Sequence, residues 1–369
     1  MTTSTVAEAA DGSLPMVRCP HCLDSFRWDE KEVFERSERG SYEPFAVDTI
    51  TDPVKREERL HNAYVRCPNP SRDAKEHYLP ASYVRFLPPL VIGLVGTGNS
   101  GKSTLLAAIV DEIDRGELSR YGFNVRPLVH ELHQEFRRTR LEELISEGKA
   151  LGLTKAAEEN VEFADAFLLV KDEATQPVAF FDVSGESLGK VGPQTRFIQA
   201  VSALIFVVDP DRALSRHDAT QRPSSEGDPA FNAVLGRLSQ SSGPQARYID
   251  RCAAIVLAKA DTLRFEPPID KWLVYQNGAG KTIDPRQIRE ESRDVYAFLY
   301  QHHAGPWLKP FNSIRRCTLH VVSATGSASV AAEHAYPRGL RPRRVLEPLI
   351  ALLAMTGVIS GREASQVGR

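Results

Sequence analysis

Short runs of consecutive apolar residues recur along the chain from residue 90 onwards, and most of them end in a polar or glycine-containing cluster. Runs without polar alternation are typical of strands covered on both faces, as in a parallel sheet between helices. Segments with helical spacing of apolar residues lie between them. The pattern predicts an α/β fold with strands at 90–95, 166–170, 178–182, 203–208, 253–258 and 319–322 and helices near 104–110, 231–238, 288–301 and 345–355.

The first of these strands is followed directly by a glycine-rich loop that ends in Lys102 and Ser103. A loop of this kind between a strand and a helix is typical of a phosphate-binding site. Its glycines let backbone N–H groups turn inward around phosphate oxygens, and the helix N-terminus adds its positive dipole end. Lys102 would contact the β- and γ-phosphates, and the Ser103 hydroxyl would bind Mg²⁺. The predicted phosphate-binding residues are Gly96, Thr97, Gly98, Asn99, Ser100, Gly101, Lys102, Ser103 and Thr104.

A second polar cluster follows the strand 178–182, which ends at Asp182 and continues to Gly185 and Glu186. A carboxylate at a strand end beside the phosphate loop can hold Mg²⁺ through water, and the N–H of Gly185 can reach the γ-phosphate. The segment 171–177, which precedes this strand, is short and turn-like. Because a short hairpin cannot join parallel strands, we expect the two strands that it links to be antiparallel.

The two last strands also end in polar residues, Lys259-Ala260-Asp261 and Ser323-Ala324-Thr325. The Asp261 carboxylate can accept hydrogen bonds from the N1–H and 2-amino groups of guanine, whereas adenine has no such pair of donors on that edge. The aliphatic stem of Lys259 can lie along the base. The alternative for Lys259 and Asp261 is a solvated pair of charges after a buried strand.

In this order and at these strand ends, the four motifs resemble those of the translation-factor and Ras-like (TRAFAC) class of P-loop GTPases, over roughly residues 88–357. The resemblance implies a three-layer α/β/α sandwich whose mostly parallel sheet has one antiparallel strand. It also implies GTP or GDP and Mg²⁺ as ligands, with Mg²⁺ held by Ser103 and Asp182. The implied catalytic residues are Lys102, Asp182, Gly185 and Glu186, and the implied base-binding residues are Lys259, Asp261, Ser323, Ala324 and Thr325.

The sequence departs from the pattern of this class at three positions. Ala258 replaces the usual Asn or Thr of the guanine-binding motif, and Thr325 takes the last place of the Ser-Ala-Lys/Leu loop. Glu186 stands where many members have a glutamine that orients the attacking water. A glutamate can accept a hydrogen bond from that water, but its charge beside the γ-phosphate is repulsive unless it is paired. Glu186 is therefore compatible with slow or fast GTP hydrolysis. The alternative is that its side chain simply faces solvent.

The region 122–162 lies between the first helix and the second strand, where this class places switch I. Its apolar spacing predicts a helix within 128–149. Thr139 and Thr154 are both candidates for the switch threonine that binds Mg²⁺. The residues around them do not favour either one. The basic run 137–140 could supply an arginine to the phosphates or form a solvated helix face. Two further insertions are predicted, near 211–229 and near 262–312.

The N-terminal region repeats the tripeptide Arg-Cys-Pro, as expected of two knuckles that face one metal ion. Cys19, Cys22 and Cys67 would supply three ligands of a tetrahedral zinc site. The fourth ligand would be His77, which follows Cys67 as the last ligand of a ribbon would, or else His61. The alternative is a degraded ribbon with free thiols and no metal.

The residue types of successive segments predict that the chain has three parts. Residues 1–15 are small and polar and read as a disordered tail, residues 16–87 as a zinc-ribbon-like module with a linker from Tyr78 onwards, and residues 88–369 as the P-loop GTPase domain. The net charge of −2 over 369 residues argues against a globally basic nucleic-acid binder. No apolar run reaches the length of about 18 residues that a membrane span requires, and the N-terminus has no apolar signal core. We therefore expect a cytoplasmic protein.

The function predicted from these features is that of a GTP-hydrolysing regulatory switch. A second resemblance, based on domain order, is to the double-GTPase group of bacterial conflict and defence systems, in which paired GTPases regulate an effector response. It implies a protein effector as partner, and a second GTPase is a candidate for it. The alternatives are a nucleotide-binding scaffold with little turnover, whose zinc module recruits a protein or nucleic acid, and an ATPase.

Overall fold

The computed structural model describes residues 16–28, 32–37, 40–72, 74–86, 88–151, 164–172, 174–182, 197–214, 226–241, 246–275, 283–330, 335–336 and 339–368. Its strands are β1 (Met16–Arg18), β2 (Ser25–Arg27), β3 (Val33–Arg36), β4 (Tyr42–Phe45), β5 (Tyr64–Arg66), β6 (Tyr78–Pro80), β7 (Leu90–Val95), β8 (Asn124–Pro127), β9 (Asp165–Lys171), β10 (Ala174–Asp182), β11 (Ala203–Val208), β12 (Ile249–Leu257) and β13 (Ile314–Val321).

The helices alternate with the strands of the second part of the chain, as expected of an α/β fold. They are α1 (Pro53–His61), α2 (Ala81–Arg85), α3 (Lys102–Asp114), α4 (His130–Phe136), α5 (Phe197–Ala200), α6 (Pro210–Ala213), α7 (Pro229–Ser241), α8 (Ile269–Val274), α9 (Pro285–Gln301), α10 (Lys309–Ser313) and α11 (Glu347–Met355). A π-helical segment, Arg137–Ser146, continues α4.

A seven-stranded sheet in the order β13-β12-β11-β7-β10-β9-β8 forms the centre of the molecule. The neighbours from β13 to β10 pair in parallel, whereas β9 pairs antiparallel with both β10 and β8. Among the described strands of this sheet, β9 is therefore the one that runs against the others. The predicted antiparallel hairpin and the mostly parallel sheet are both confirmed.

Successive residues of the central strands pack on opposite faces of the sheet, because side chains alternate along a strand. Ile92 and Leu94 join the apolar cluster that contains α3 and α11. Val91 and Val95 join a second cluster, which contains residues of α7 and α9. The uninterrupted apolar runs in the sequence thus reflect strands covered on both faces, and the three-layer α/β/α sandwich is confirmed.

The N-terminal module has two small sheets of its own, a β1-β2 pair and a four-stranded sheet in the order β4-β3-β5-β6. Its apolar residues, among them Leu79 and Val84, belong to the same cluster as Val91 and Leu128 of the large domain. The expected linker from Tyr78 onwards instead forms β6 and α2. Leu79, Tyr83 and Val84 are at most 2% exposed, so this stretch adds to the core that the two parts share.

The helix predicted within 128–149 corresponds to α4 and the π-helical segment. The edge strand β8, directly before α4, extends the large sheet and was not predicted. The predicted tail, residues 1–15, lies outside the described residues. Among the helices that the structure describes, none has both the length and the apolar character needed to cross a bilayer.

Candidate nucleotide and metal sites

Four strand ends bring predicted nucleotide residues to one edge of the large sheet, and a fifth adds Asp209. Because β7, β10, β11, β12 and β13 are parallel, the segments that follow them all emerge at the same, carboxyl-terminal edge, where ligands of α/β sheets bind. These segments are the phosphate loop after β7, Asp182 at the end of β10, Asp209 after β11, the turn 259–261 after β12 and the loop 323–325 after β13.

The phosphate loop takes its shape from residues with left-handed backbone. Asn99 has φ of 65° and Gly101 has φ of 94°, a conformation that glycine adopts without strain and asparagine tolerates. A Cβ atom on Gly96 would lie 2.8 Å from the Ser100 hydroxyl and 3.0 Å from the Val207 carbonyl oxygen. The loop therefore passes close to the end of β11 before α3 begins at Lys102.

Lys102 lies folded against the loop that precedes it. Its Nζ donates to the carbonyl oxygens of Gly96 at 2.8 Å and Thr97 at 2.9 Å, and the side chain is largely buried. Burial lowers the pKa of Lys102, and the nearby charges of Asp182 and Asp228 oppose that effect. An ammonium group has three donors, so these two bonds fix its position and leave one donor for a ligand.

Ser103 and Asp182 connect the start of α3 to the end of β10. The Ser103 hydroxyl donates to Asp182 Oδ2 at 2.5 Å. A hydroxyl and a carboxylate side by side are the oxygen ligands that Mg²⁺ prefers, and they lie next to the phosphate loop. The donor set of this pair thus fits the ion that the phosphate-loop motif implies.

Two residues that were not predicted, Asp228 and Arg212, also hold the phosphate loop. Asp228 is 1% exposed, and its Oδ2 accepts from the N–H of Thr97 at 3.0 Å while its Oδ1 accepts from Ala230 N at 2.7 Å. Arg212, on α6, donates through Nη1 to the Thr97 hydroxyl at 2.9 Å. The Asp-Pro pair before α7 is a helix-start signal that could have identified Asp228 as a cap. Nothing in the sequence indicates its bond to the loop.

At the other end of the sheet edge, Asp261 and Ser323 lie together. The Ser323 hydroxyl donates to Asp261 Oδ1 at 2.6 Å and accepts from the N–H of Gly326 at 2.9 Å. The backbone N–H of Ala258 donates to Val208 O at 3.0 Å, so the backbone ties the ends of β11 and β12 where the GTPase class has an Asn or Thr. Asp261 is thus a nearly buried carboxylate whose orientation is fixed by its neighbour.

Lys259 and Asp261 bond to different partners. Lys259 has φ of 48°, and its Nζ lies 2.9 Å from Asp209 Oδ2 and 3.8 Å from Asp211 Oδ2. Asp209 is 3% exposed and caps α6 by accepting from Asp211 N at 3.1 Å. The alternative of a solvated Lys259–Asp261 pair does not describe this edge, because Lys259 pairs with Asp209 beyond β11 and Asp261 is buried against Ser323 beyond β13.

Several predicted switch residues are not brought to this edge. Arg137 donates to Asp114 Oδ2 at 2.5 Å, at the C-terminal end of α3 and roughly 18 Å along that helix from Lys102. Of the basic run 137–140, Arg137 is therefore held away from the phosphate loop in this structure. Thr139 donates to Glu135 O at 2.8 Å within the helical segment. The other predicted switch residues, Thr154, Gly185 and Glu186, lie outside the described residues.

The four predicted zinc ligands converge in the N-terminal module. The ligand atoms of Cys19, Cys22, Cys67 and His77 lie within 4.8 Å of one another, and all four residues are buried. Cys19 Sγ is 3.1 Å from His77 Nε2, and Cys22 Sγ is 3.6 Å from Cys67 Sγ. Tetrahedral zinc with Zn–S distances of about 2.3 Å requires spacings of roughly 3.7 Å between sulfurs. His61 lies on α1 and does not belong to this group.

The surroundings of the cluster suit metal binding. His77 Nδ1 is 2.7 Å from the carbonyl oxygen of Lys75, which orients the ring and leaves Nε2 facing Cys19. Metal-bound histidines are commonly held by such a second bond. A hydrogen bond with Cys19 lowers the pKa of Cys67 to about 4, whereas burial raises the pKa of Cys22 to about 11. Three sulfurs and one imidazole nitrogen form a donor set typical of zinc.

Comparison with known proteins places the large domain among GTPases. Residues 90–297, more than half of the chain, match the family described as Double-GTPase 2. A search of curated proteins found no match. Among solved structures, a bacterial selenocysteine-specific elongation factor, EF-Sec, is 14% identical, with 64% of this chain and 26% of that chain covered and a TM-score of 0.25.

A second solved structure is the GTPase-like domain of S. cerevisiae Ski7, bound to GTP. It is 13% identical, with 74% of this chain and 51% of that chain covered and a TM-score of 0.31. The chain therefore spans about a quarter of the length of EF-Sec and about half of the Ski7 chain.

Proposed function

The chain belongs to the Double-GTPase 2 family, and on that premise we propose that this GTP-binding protein is a regulatory switch that hydrolyses GTP to GDP and phosphate. The observation that carries the proposal is the fixed pair of Asp261 and Ser323 on the same sheet edge as the phosphate loop. One half of the site offers phosphate-binding groups, and the other offers a carboxylate acceptor that suits guanine.

The phosphate half is assigned to the loop 96–103 and the start of α3. Its backbone N–H groups and the helix dipole attract phosphate oxygens. Lys102 is already held by the carbonyls of Gly96 and Thr97, so its charge needs little reorganisation when phosphate binds. Preorganised charge of this kind favours the transition state as well as the bound nucleotide.

The magnesium ligands are assigned to Ser103 and Asp182, which would hold the ion directly and through water respectively. Bound Mg²⁺ neutralises charge that develops on the phosphate oxygens during transfer. Gly185 is assigned to the γ-phosphate and Glu186 to the attacking water. The short contact between Ser103 and Asp182 supports the metal assignment.

The base half is assigned to Lys259, Asp261 and the loop Ser323-Ala324-Thr325. Because Ser323 occupies Oδ1 of Asp261, the carboxylate is oriented before the base arrives. Guanine presents two donors to a carboxylate at this place, whereas adenine presents none. A nearly buried carboxylate that faces the wrong base loses its hydrogen bonds, and this supports a preference for guanine over adenine.

The partner and the zinc site are further parts of the proposal. The description of the family as a double GTPase supports a second GTPase as the protein partner. We propose a role in bacterial defence from the resemblance of the domain order to the double-GTPase group of conflict systems. We assign one zinc ion to Cys19, Cys22, Cys67 and His77, supported by their convergence and donor types. This module packs on the nucleotide domain and presents a surface to that partner.

Multiple-turnover phosphate release separates the enzyme from the scaffold alternative. We expect release from GTP with Mg²⁺, loss of release in Lys102→Ala, and at least about tenfold weaker GTP binding in that variant. Lys55→Ala, on the exposed side of α1, is the matched control and should behave as wild type. Tight GTP binding without turnover would favour the scaffold, and GTP binding unchanged in Lys102→Ala would remove the assignment of the phosphate site.

A further inference from the structure

The loop that carries Ser323 and Thr325 does not leave the site but folds back on itself. Ser323 and Arg343 exchange two backbone hydrogen bonds, at 3.1 and 2.7 Å, and Arg341 N donates to Thr325 O at 3.0 Å. Gly326 has φ of 77°, and a Cβ atom on it would lie 2.4 Å from Arg341 O. The residues beyond Thr325 therefore return along the base loop.

This return brings one aromatic side chain, Tyr336, next to the base-binding residues. Tyr336 is half-buried, and its hydroxyl interacts with the side chains of Thr325 and Ser329. Burial raises the pKa of Tyr336, and the negative charge of Asp261 adds to that rise. The hydroxyl of Tyr336 therefore lies beside Thr325, one of the residues assigned to guanine, and the negative charge of Asp261 reaches it.

The backbone of Tyr336 is bonded to Gly148, at the end of the helical segment within the region 122–162 that is predicted to contain switch I. Its N–H donates to the carbonyl oxygen of Gly148 at 2.6 Å, and Lys149 pairs with Ala335 in an antiparallel bridge. Gly148 has φ of 62°, and a Cβ atom there would lie 3.3 Å from the carbonyl oxygen of Tyr336. This close approach follows directly after the π-helical segment Arg137–Ser146, so α4 and that segment are linked by backbone to the base side of the site.

We propose that Tyr336 is a base-contacting residue whose ring covers the guanine, and that its bond to Gly148 couples base binding to the segment 137–149. The inference rests on the proposed function, because it takes the base to lie against Asp261 and Thr325. An aromatic ring adds affinity by stacking on any purine, so Tyr336 strengthens binding while Asp261 selects the base. Occupation of the base site then restrains residues 137–149, which belong to the predicted switch I region 122–162.

The test uses the 369-residue chain with GDP and with inorganic tripolyphosphate, which has no base. In Tyr336→Ala we expect GDP affinity to fall roughly tenfold, with tripolyphosphate affinity unchanged. In wild-type protein, GDP should slow amide hydrogen exchange across 137–149, and this protection should be lost in the variant. Tyr300→Ala, a tyrosine 66% exposed on α9, is the matched control and should match wild type in both measurements.

Two further variants distinguish the loss of the aromatic ring from a general disturbance of the fold. Tyr336→Phe keeps the stacking face and should bind GDP within about twofold of wild type, whereas Tyr336→Leu keeps apolar bulk without an aromatic face and should show the loss. Wild-type GDP affinity in the Ala and Leu variants, or an equal loss for GDP and tripolyphosphate, would overturn the inference. If the wild-type protein itself did not prefer GDP to ADP, the proposed function would fail along with it.

Discussion

Thr97 shows at the scale of a single residue how the phosphate loop is held. Its N–H donates to Asp228, its hydroxyl accepts from Arg212, and its carbonyl accepts from Lys102. The motif treats this position as variable, yet its three polar groups are bonded in three directions. The sequence predicted Lys102 because it lies within the motif. Asp228 and Arg212 are 131 and 115 residues away from Thr97, so only the folded chain shows their contacts.

Asp228→Asn should destabilise the protein and weaken nucleotide binding. Asparagine has one acceptor oxygen, so it cannot serve both Thr97 and Ala230, and one buried N–H loses its partner. We expect a loss of about 1–3 kcal/mol in the free energy of unfolding, measured by urea denaturation. GDP affinity should fall several-fold, because the loop is no longer fixed.

The matched control is Asp250→Asn, a carboxylate whose side chain is 87% exposed. It should leave both the unfolding free energy and GDP affinity unchanged. If Asp228→Asn behaved in the same way, Asp228 would not position the phosphate loop.

At the scale of elements, the segment from β8 to the π-helix is docked on the large domain by a buried histidine. His133, on α4, places Nδ1 2.8 Å from Asp165 Oδ2 on β9 and Nε2 3.4 Å from Asp114 Oδ1 at the end of α3. Apolar spacing predicted the helix, because that signal is local. The edge strand β8 is four residues long and its pairing with β9 is non-local, so the sequence gives little sign of it.

This cluster predicts that stability falls between neutral and alkaline pH. Burial lowers the pKa of His133, but hydrogen bonds with Asp114 and Asp165 outweigh it and raise the pKa from 6.5 to about 9. A pKa that is higher in the folded state means that protonation stabilises the fold. The contribution is complete below about pH 6.5 and is lost as the pH rises through 9, and it amounts to about 3 kcal/mol.

Urea unfolding at pH 6 and at pH 9.5 measures this contribution. The free energy of unfolding of wild-type protein should fall between these values, and His133→Gln should show a smaller fall from a lower starting point. His303→Gln, an exposed histidine, should retain the wild-type dependence. An equal pH dependence in His133→Gln and wild type would show that His133 does not carry the effect.

At the scale of the whole molecule, the N-terminal module and the nucleotide domain share one apolar core. The repeated Arg-Cys-Pro predicted the cysteines of the cluster that contains His77, because knuckle spacing is a local signal. The repeat could not decide between His77 and His61 as the fourth ligand. That depends on how β5 and β6 bring His77 back beside Cys67. The prolines and aromatics of residues 78–89 are typical of a linker lying against the large domain, and only packing shows that residues 79–86 belong to the core.

Elemental analysis of untagged protein should find about one zinc ion per chain. Cys67→Ser and His77→Ala should lose the metal and lower the melting temperature, because structural zinc contributes directly to folding. His61→Ala, a histidine of the same module outside the cluster, should keep both. Absence of zinc in wild-type protein, or retention of zinc in His77→Ala, would contradict the ligand assignment.

Competition binding of GTP, ATP and XTP to wild-type protein and Asp261→Asn tests the central claim most directly. Guanine offers two donors to the carboxylate, whereas xanthine has an acceptor in place of the 2-amino group, which the asparagine amide can satisfy. A mismatched buried donor costs about 1–3 kcal/mol, or roughly tenfold to a hundredfold in affinity. Wild-type protein should prefer GTP, Asp261→Asn should lose GTP affinity and gain XTP affinity, and ATP should bind poorly to both. Equal affinity of wild-type protein for ATP and GTP would contradict the account.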